Sequence, residues 1–256
     1  MTDNLTILIP MGNEIENIEE CLRHVLWAKN IYVVDSFSTD GSADIAKKYA
    51  TKYDVHEYVN SATQKNWALK NIDTEWVLIV DSDERVTADL KNRILNVLKD
   101  PDADGYYIKR MSSFLGKPIK HCGWNKDFVL RLFRVEKGRY ETKNVHADVI
   151  LDGKVGRIKE HFLHYTCRDL NHYFEKFGRY TEWSSRDLLE KGKKSSFLRL
   201  FYKPIFRFLR QYVLQLGFLD GKHGLMLCMF SSFSVYTKYA KLEDLYRQKK
   251  INKLKG

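Results

Sequence analysis

The 256-residue chain is short of several things at once. It has 4 prolines and 14 glycines, and no repeat, low-complexity tract or linker-like stretch interrupts it. With 44% hydrophobic residues it can close a core, so collagen-like, repeat and disordered classes are excluded. The four cysteines, Cys21, Cys122, Cys167 and Cys228, are far apart and form no Cys-x-x-Cys pair. No secretory leader is recognisable, so these thiols are expected to stay reduced in a cytoplasm. No Gly-x-Gly-x-x-Gly follows the first apolar run, which excludes a Rossmann dehydrogenase start. The apolar stretch 224–236 is too short and too rich in Ser to span a bilayer, which takes ~20 apolar residues.

Acidic residues are also nearly missing from one end. Residues 191–256 hold 15 Lys+Arg against 3 Asp+Glu, whereas residues 1–190 hold 28 against 30. The net charge of +10 therefore belongs to the C-terminal quarter. A polyanion or an anionic membrane surface is the natural partner of such a segment. Length and charge together suggest a domain over 1–190 and a basic helical region over 191–256.

What is present centres on residues 75–84. Val77 to Val80 is a continuous apolar run, the pattern of a strand buried on both faces of a parallel sheet. It ends in three carboxylates, Asp81, Asp83 and Glu84. Residues two apart in an extended chain point the same way, so Asp81 and Asp83 can face one site. Carboxylates held that close repel unless a cation lies between them, and Mg²⁺ or Mn²⁺ suits oxygen ligands. A solvated acidic turn is the plain alternative.

The rest of the chain supplies a frame for that strand. Residues 5–9 read as a strand stopped by Pro10 and Gly12. Asn13 with Glu16 suits an N-cap and capping box for a helix to about residue 28. A second strand, 31–34, ends in Asp35; Asp40 or Ser42 then caps a second helix. A strand over 55–59, a helix over 62–70 and a helix from Thr87 to Leu98 follow, then shorter strands at 105–109, 128–134, 149–152 and 154–158. A helix over 170–190 precedes the basic end. This is an α/β pattern with a mostly parallel central sheet flanked by helices and right-handed crossovers. Ligands in such sheets bind beyond the carboxyl ends of the strands, which puts 10–13, 35–40 and 81–84 on one rim.

These pieces resemble the inverting glycosyltransferases of family 2 with the GT-A fold, and most closely the bacterial branch acting on the lipopolysaccharide inner core. The resemblance is carried by Thr6 to Pro10 with Asn13 and Glu14, by Val33 to Ser42, and by Gln64, Lys65 and Asn66. It continues through Asp81 to Glu84, Arg131 to Arg134, Val145 with His146, His164 with Tyr165, and Gly217 to Gly221. It implies transfer of a sugar, with inversion, from a nucleotide-diphosphate donor of the UDP type to an acceptor hydroxyl. The implied roles put Pro10, Asn13, Glu14 and Asp35 around the nucleotide, Asp81 at the ribose or a metal-bound water, and Asp83 on a divalent metal, Mn²⁺ or Mg²⁺. His164 is implied as a further metal ligand, with a structural histidine as the alternative. Lys65 is a candidate donor to nucleotide phosphates, or else a solvated helix lysine. The spacing His161-x-x-His164-x-x-Cys167 hints at zinc but is too short for a closed site and has no second ligand pair. Trp67 and Trp124 are candidates to stack on sugar or base, or are core.

Inversion needs a base on the face opposite the leaving diphosphate. The resembling branch has a Glu after its Val-His pair, where this chain has Ala147. Asp148 is the first candidate, His146 the second and Glu141 the third. Asp148 can serve only from a loop or bulge, since a one-residue shift in a strand reverses its face.

At the basic end, Leu198, Phe201, Ile205, Leu209, Tyr212 and Leu216 read as one side of a helical pattern, with Arg199, Lys203, Arg207 and Arg210 on the other; Pro204 is expected to start a second helix. The expected partners are a nucleotide-sugar, a lipid-linked saccharide acceptor and the anionic inner leaflet of the cytoplasmic membrane, where the protein would lie peripherally from the cytoplasmic side. An ordinary helical cap is the alternative. A nucleic-acid partner is not expected, because the acidic rim would repel phosphates. A non-catalytic nucleotide-sugar binder is the remaining rival.

Overall fold

The computed structural model describes residues 3–141 and 148–255. In chain order the first elements are β1 (Leu5–Met11), α1 (Ile18–Arg23), β2 (Asn30–Asp35), α2 (Ser42–Tyr49), β3 (Lys52–Val55), α3 (Ser61–Leu69) and β4 (Trp76–Ile79). Next come β5 (Glu84–Val86), α4 (Ala88–Val97), β6 (Gly105–Phe114), β7 (Lys117–Pro118), β8 (Phe128–Arg134), β9 (Gly138–Tyr140), β10 (Val149–Leu151) and β11 (Val155–Tyr165). Three helices end the chain: α5 (Leu170–Glu190), α6 (Phe197–Leu209) and α7 (Gly221–Lys255). The residues divide into two units, Met1–Met111 with Asp127–His164, and Ser112–Lys126 with Tyr165–Gly256. The change of charge after residue 190 marks a different property: it falls where α5 ends and acidic residues become scarce.

In the first unit the strands run in the order β3-β2-β1-β4-β8-β6-β11-β5. The expected parallel arrangement is the β3-β2-β1-β4 half; β4 with β8, β8 with β6, and β11 with β5 pair antiparallel. Alternation sorts the apolar residues of β1. Ile7 and Ile9 join Leu78 and the α1 residues Ile18 and Leu22 in one core layer. Leu8 joins Val77, Ile79 and the α3 residues Ala68 and Leu69 in the other. Each such buried side chain contributes about 1.5–3 kcal/mol, so β1 and β4 anchor the sheet.

Local chemistry overrode several expectations. The first helix is six residues long and begins at Ile18, with Asn17 at its N-cap. Asn13 does not cap it: its backbone is left-handed (φ 55°) and its Oδ1 accepts from the Thr39 N–H at 2.8 Å. The asparagine ties two loops together instead. The third strand lies at Lys52–Val55 rather than 55–59, because its pairing with β2 ends at Asp35 opposite Val55. Neither Asp40 nor Ser42 is the N-cap of α2, which is Gly41, although Asp40 Oδ1 accepts from the Ser42 N–H at 3.0 Å. The Thr87 signal held: it caps α4 through Leu90 N–H, and Asn60, not singled out in the sequence, caps α3 through Thr63 N–H.

In the second unit Phe114, Ile119, Cys122, Leu227 and Cys228 form a core. The Gly217 to Gly221 stretch shapes it. Asp220 is buried and accepts from the N–H groups of Lys120 (3.1 Å) and His121 (2.8 Å). A Cβ on Gly224 would lie 2.0 Å from the Gly217 carbonyl oxygen, so glycine is required there. Trp124 packs against this core, which favours its structural reading.

Pro204 lies inside α6 rather than starting a helix. An interior proline costs about 3 kcal/mol and frees a carbonyl. The freed carbonyl is that of Leu200; the proline ring itself is buried, and the Pro204 carbonyl accepts from Ser232 Oγ of α7 at 2.8 Å, so packing against α7 holds the helix at this point. The faces of α6 also differ from expectation. Its inward side is Leu200, Pro204 and Phe208, continued by Gln211, while Leu198, Phe201, Ile205 and Leu209 are exposed. Among the described residues no helix is long and apolar enough to cross a membrane.

Candidate active site

The rim expected at the carboxyl ends of β1, β2 and β4 is present in the first unit. The loops after β1 and β2 are stitched together: Ser36 N–H donates to Met11 O (2.9 Å), Asn13 N–H to Ser38 Oγ (2.8 Å) and Ile15 N–H to Asp40 Oδ2 (2.9 Å). Asp35 is buried. Its carboxylate accepts from the Ser38 hydroxyl (2.5 Å) and N–H (3.1 Å) and from Tyr53 OH (2.9 Å). It therefore shapes the loop that carries Phe37, whose backbone is also left-handed (φ 56°) and whose ring is exposed. A bulky residue held at positive φ is uncommon and clusters at functional sites. Pro10 lies in β1, and Glu14 accepts from Asn17 Nδ2 at 2.9 Å. Trp67 stacks on His56 with ring centroids 4.3 Å apart, at the end of β3.

Beyond β4 the three carboxylates part company. Asp81 Oδ1 accepts from Lys65 Nζ at 2.8 Å, and Asp81 Oδ2 pairs with Arg131 Nη2 of β8. Glu84 is fully buried. Its Oε2 accepts from the Asp81 N–H (3.0 Å), while Oε1 accepts from Arg131 Nη2 (3.0 Å) and faces Arg110 Nη1 (3.5 Å). The cation that the crowded acids require is thus supplied by the protein around Asp81 and Glu84. Burial opposes ionisation of Asp81, but Arg131 and Lys65 outweigh it and hold its carboxyl well below the usual carboxylate range. Lys65 is not a solvated helix lysine: it is 5% exposed and lies over the Tyr140 ring, 5.3 Å from the centroid.

Asp83 has a different partner. His164 Nε2 lies 3.6 Å from Asp83 Oδ2, and β11 holds the imidazole there by pairing His164 opposite Glu84. Burial lowers the imidazole's pKa, but the Asp83 carboxylate raises it more, for a net rise. His161 sits three residues earlier on the same strand, hence on its opposite face, which removes the zinc reading of that pair. No cluster of three or more His, Cys, Asp or Glu side chains placed to hold a metal exists among the described residues. Asp83 and His164 nevertheless present one carboxylate oxygen and one imidazole nitrogen. That set fits a small divalent ion that completes its shell with diphosphate oxygens and water.

The base candidates surround a hairpin. β9 and β10 pair antiparallel, with Tyr140 opposite Val149. At its neck Glu141 N–H donates to Asp148 O (3.0 Å), and Asp148 N–H to Glu141 Oε2 (3.3 Å). Asp148 precedes β10 and is exposed, so the strand-face restriction does not bind it. His146 lies outside the described residues. The sequence reading assigned no role to Arg131, Arg110, Glu84 or Phe37. Arg131 stood within a quoted motif, but its partners lie about fifty residues away.

Comparison with known proteins now bears on this geometry. Residues 6–152, more than half of the chain, match Glycosyl transferase family 2. The chain belongs to that family. This family 2 glycosyltransferase is 26% identical over 245 residues to the lipopolysaccharide core biosynthesis glycosyltransferase LpsC of Rhizobium meliloti, covering 90% of this chain and 88% of LpsC. It is 24% identical over 261 residues to a glycosyltransferase of Rickettsia bellii, covering 97% of this chain and 89% of the relative. Among solved structures it is similar to the mannosyltransferase PcManGT of Pyrobaculum calidifontis, in complex with GDP-Man and Mn²⁺. That match has a TM-score of 0.56 and 16% identity, and covers 93% of this chain and 86% of the other. The fold of this glycosyltransferase is GT-A.

Proposed function

We propose that this glycosyltransferase moves a sugar from a UDP-type nucleotide-diphosphate donor to a hydroxyl of a lipid-linked or lipopolysaccharide-core saccharide, with inversion and with Mn²⁺ or Mg²⁺. The observation that carries this reading is the separation of the two rim acids: Asp81 is neutralised by Lys65 and Arg131, and Asp83 is paired with His164. The name of the relative LpsC supports the acceptor class.

The reaction places developing negative charge on the leaving diphosphate. A divalent ion held by Asp83 and His164 would supply charge stabilisation there, acting on the transition state more than on the ground state. Arg131 and Lys65 fix the Asp81 carboxylate as an ionised acceptor suited to a ribose hydroxyl. Pro10, Asn13, Glu14 and Asp35 build the nucleotide side of the rim, and the exposed Phe37 ring adds a stacking surface. Asp148, with Glu141 beside it, is the base that takes the acceptor proton. In this reading residues 1–190 are catalytic, and 191–256 bring Arg199, Lys203, Arg207 and Arg210 to the anionic inner leaflet, where the acceptor lies.

The test is Asp83→Ala assayed for sugar transfer over a panel of donors. Asp83 lies between β4 and β5 in the chain, so its removal should spare the fold while abolishing transfer, as should excess chelator with the wild type. A folded variant that turns over like the wild type sinks the metal assignment. A wild type that is thermally protected by nucleotide-sugar yet never releases sugar would make the chain a binder only.

A further inference from the structure

We propose that the outward side of α6 is a membrane-embedding face, inserted among lipid headgroups and acyl chains rather than resting on them. The inference rests on the peripheral, lipid-linked reading above and replaces a purely electrostatic contact with an apolar one. At about 100° per residue, the side chains of α6 fall into three sectors. Leu200, Pro204 and Phe208 face inward, and Gln211 continues that line. The next sector, roughly 140° wide by the same helical rotation, is apolar and solvent-facing. Leu198 is 73% exposed and Phe201 63%, and Tyr202, Ile205, Phe206 and Leu209 are exposed with them, while Phe197, the first residue of the helix, lies above the inward line yet is 85% exposed. The third sector holds Arg199, Lys203, Arg207 and Arg210.

An ordinary helical cap reverses this order, with its apolar stripe inward and charge outward. Here two aromatic pairs stack on the open face, Phe197 with Phe201 and Tyr202 with Phe206. Exposed contiguous apolar surface of this kind marks an interaction site. Charge chooses the occupant. The basic sector borders the apolar one along the same helix, and the 191–256 segment carries 15 Lys+Arg against 3 Asp+Glu. That is the composition of a helix lying in the plane of an anionic bilayer, apolar side down and basic edge at the phosphates. Lys203, Arg207 and Arg210 are exposed and Arg199 is half-buried; the Lys203 ammonium also donates to Tyr239 OH at 2.5 Å, which leaves Arg207 and Arg210 as the charges to change in a test. The apolar exposure runs on through Leu214, Phe218 and Leu219, so it is not confined to one turn.

The experiment is vesicle flotation of the full chain with phosphatidylcholine alone and with phosphatidylcholine plus phosphatidylglycerol, at low salt and at about 1 M salt, where the Debye length is ~3 Å. The wild type should bind the anionic vesicles and stay bound in high salt. Leu198→Ser with Phe201→Ser should weaken that salt-resistant binding on the order of 100-fold, about tenfold per lost side chain. Leu198→Ile with Phe201→Trp, which keeps the face apolar, should restore it. Arg207→Gln with Arg210→Gln should weaken binding at low salt and leave the salt-resistant part. Complete release of the wild type by salt, or an unchanged double-serine variant, overturns the proposal. So does a wild-type dimer that the double-serine change converts to monomer without affecting vesicle binding. Donor hydrolysis in vesicle-free solution keeps the two readings apart. It should be equal in the wild type and the double-serine variant; its absence from the wild type would count against the transferase reading alone.

Discussion

Arg131 offers the sharpest test of how the rim is held. Its guanidinium serves two carboxylates at once, Asp81 and the fully buried Glu84, and its own side chain is 5% exposed. Removing one partner of a buried ion pair costs about 3–5 kcal/mol, because a charge is left buried without compensation. Two neighbours soften the loss in Arg131→Met. Lys65 remains 2.8 Å from Asp81, and Arg110 remains 3.5 Å from Glu84. The expected cost is therefore at the low end, ~3 kcal/mol. The chain has two units, so a single melting midpoint is a poor readout. Amide exchange of the most protected positions in β4 and β8 is better, and ~3 kcal/mol corresponds to roughly 100-fold faster exchange. Both carboxylates meet the one nitrogen Nη2, so Arg131→Lys should recover part of this, limited by how far a compact, strongly hydrated ammonium can occupy that position. Exchange in Arg131→Met within about twofold of wild type would refute the claim that this arginine holds the acids together.

Other expectations follow from the same geometry. Asp148→Asn removes the basic oxygen but keeps size, so donor binding should persist while turnover falls at least ~100-fold; normal turnover there, with loss in Glu141→Gln or His146→Ala, would reassign the base. For Asp40, burial raises the carboxyl's pKa, but hydrogen bonds from Ser42 and Ile15 lower it more, giving a net depression. A depressed carboxyl contributes stability above its unfolded value of about 4 and loses it as pH falls through the folded value. Asp40→Asn should then cost about 1 kcal/mol at neutral pH, with the gap to wild type closing in acid. An equal gap at both pH values, measured by amide exchange of the most protected positions of the first unit, would contradict that sign.

The sequence made the frame legible where a signal was local. Continuous apolar runs marked β1 and β4, and a single polar residue, Thr87, marked the start of α4. The rule that ligands meet the strand ends located the rim. What stayed hidden was long-range or ambiguous. Nothing near Asp81 in the chain announces that Lys65 and Arg131 will neutralise it, because those partners arrive from α3 and β8. Asn13 looked like a cap, since a short polar side chain serves a helix or a neighbouring loop equally well. Helical periodicity separated the apolar and basic residues of α6, yet periodicity does not say which sector meets the core. Leu200, Pro204 and Phe208 settle that, and the apolar sector is left facing out.

The hairpin neck has a consequence for how this enzyme can change over evolutionary time. Asn66 clasps Tyr140 by both backbone groups: its Oδ1 accepts from the Tyr140 N–H at 2.8 Å, and its Nδ2 donates to the Tyr140 carbonyl at 3.0 Å. The residue before it in α3 is Lys65, the side chain that grips Asp81. One peptide step therefore registers the proposed acceptor side against the proposed donor side. A substitution at Asn66 would therefore disturb the proposed acceptor and donor sides together, whereas changes that spare this clasp would let the proposed acceptor side diverge without moving Lys65 or Asp81.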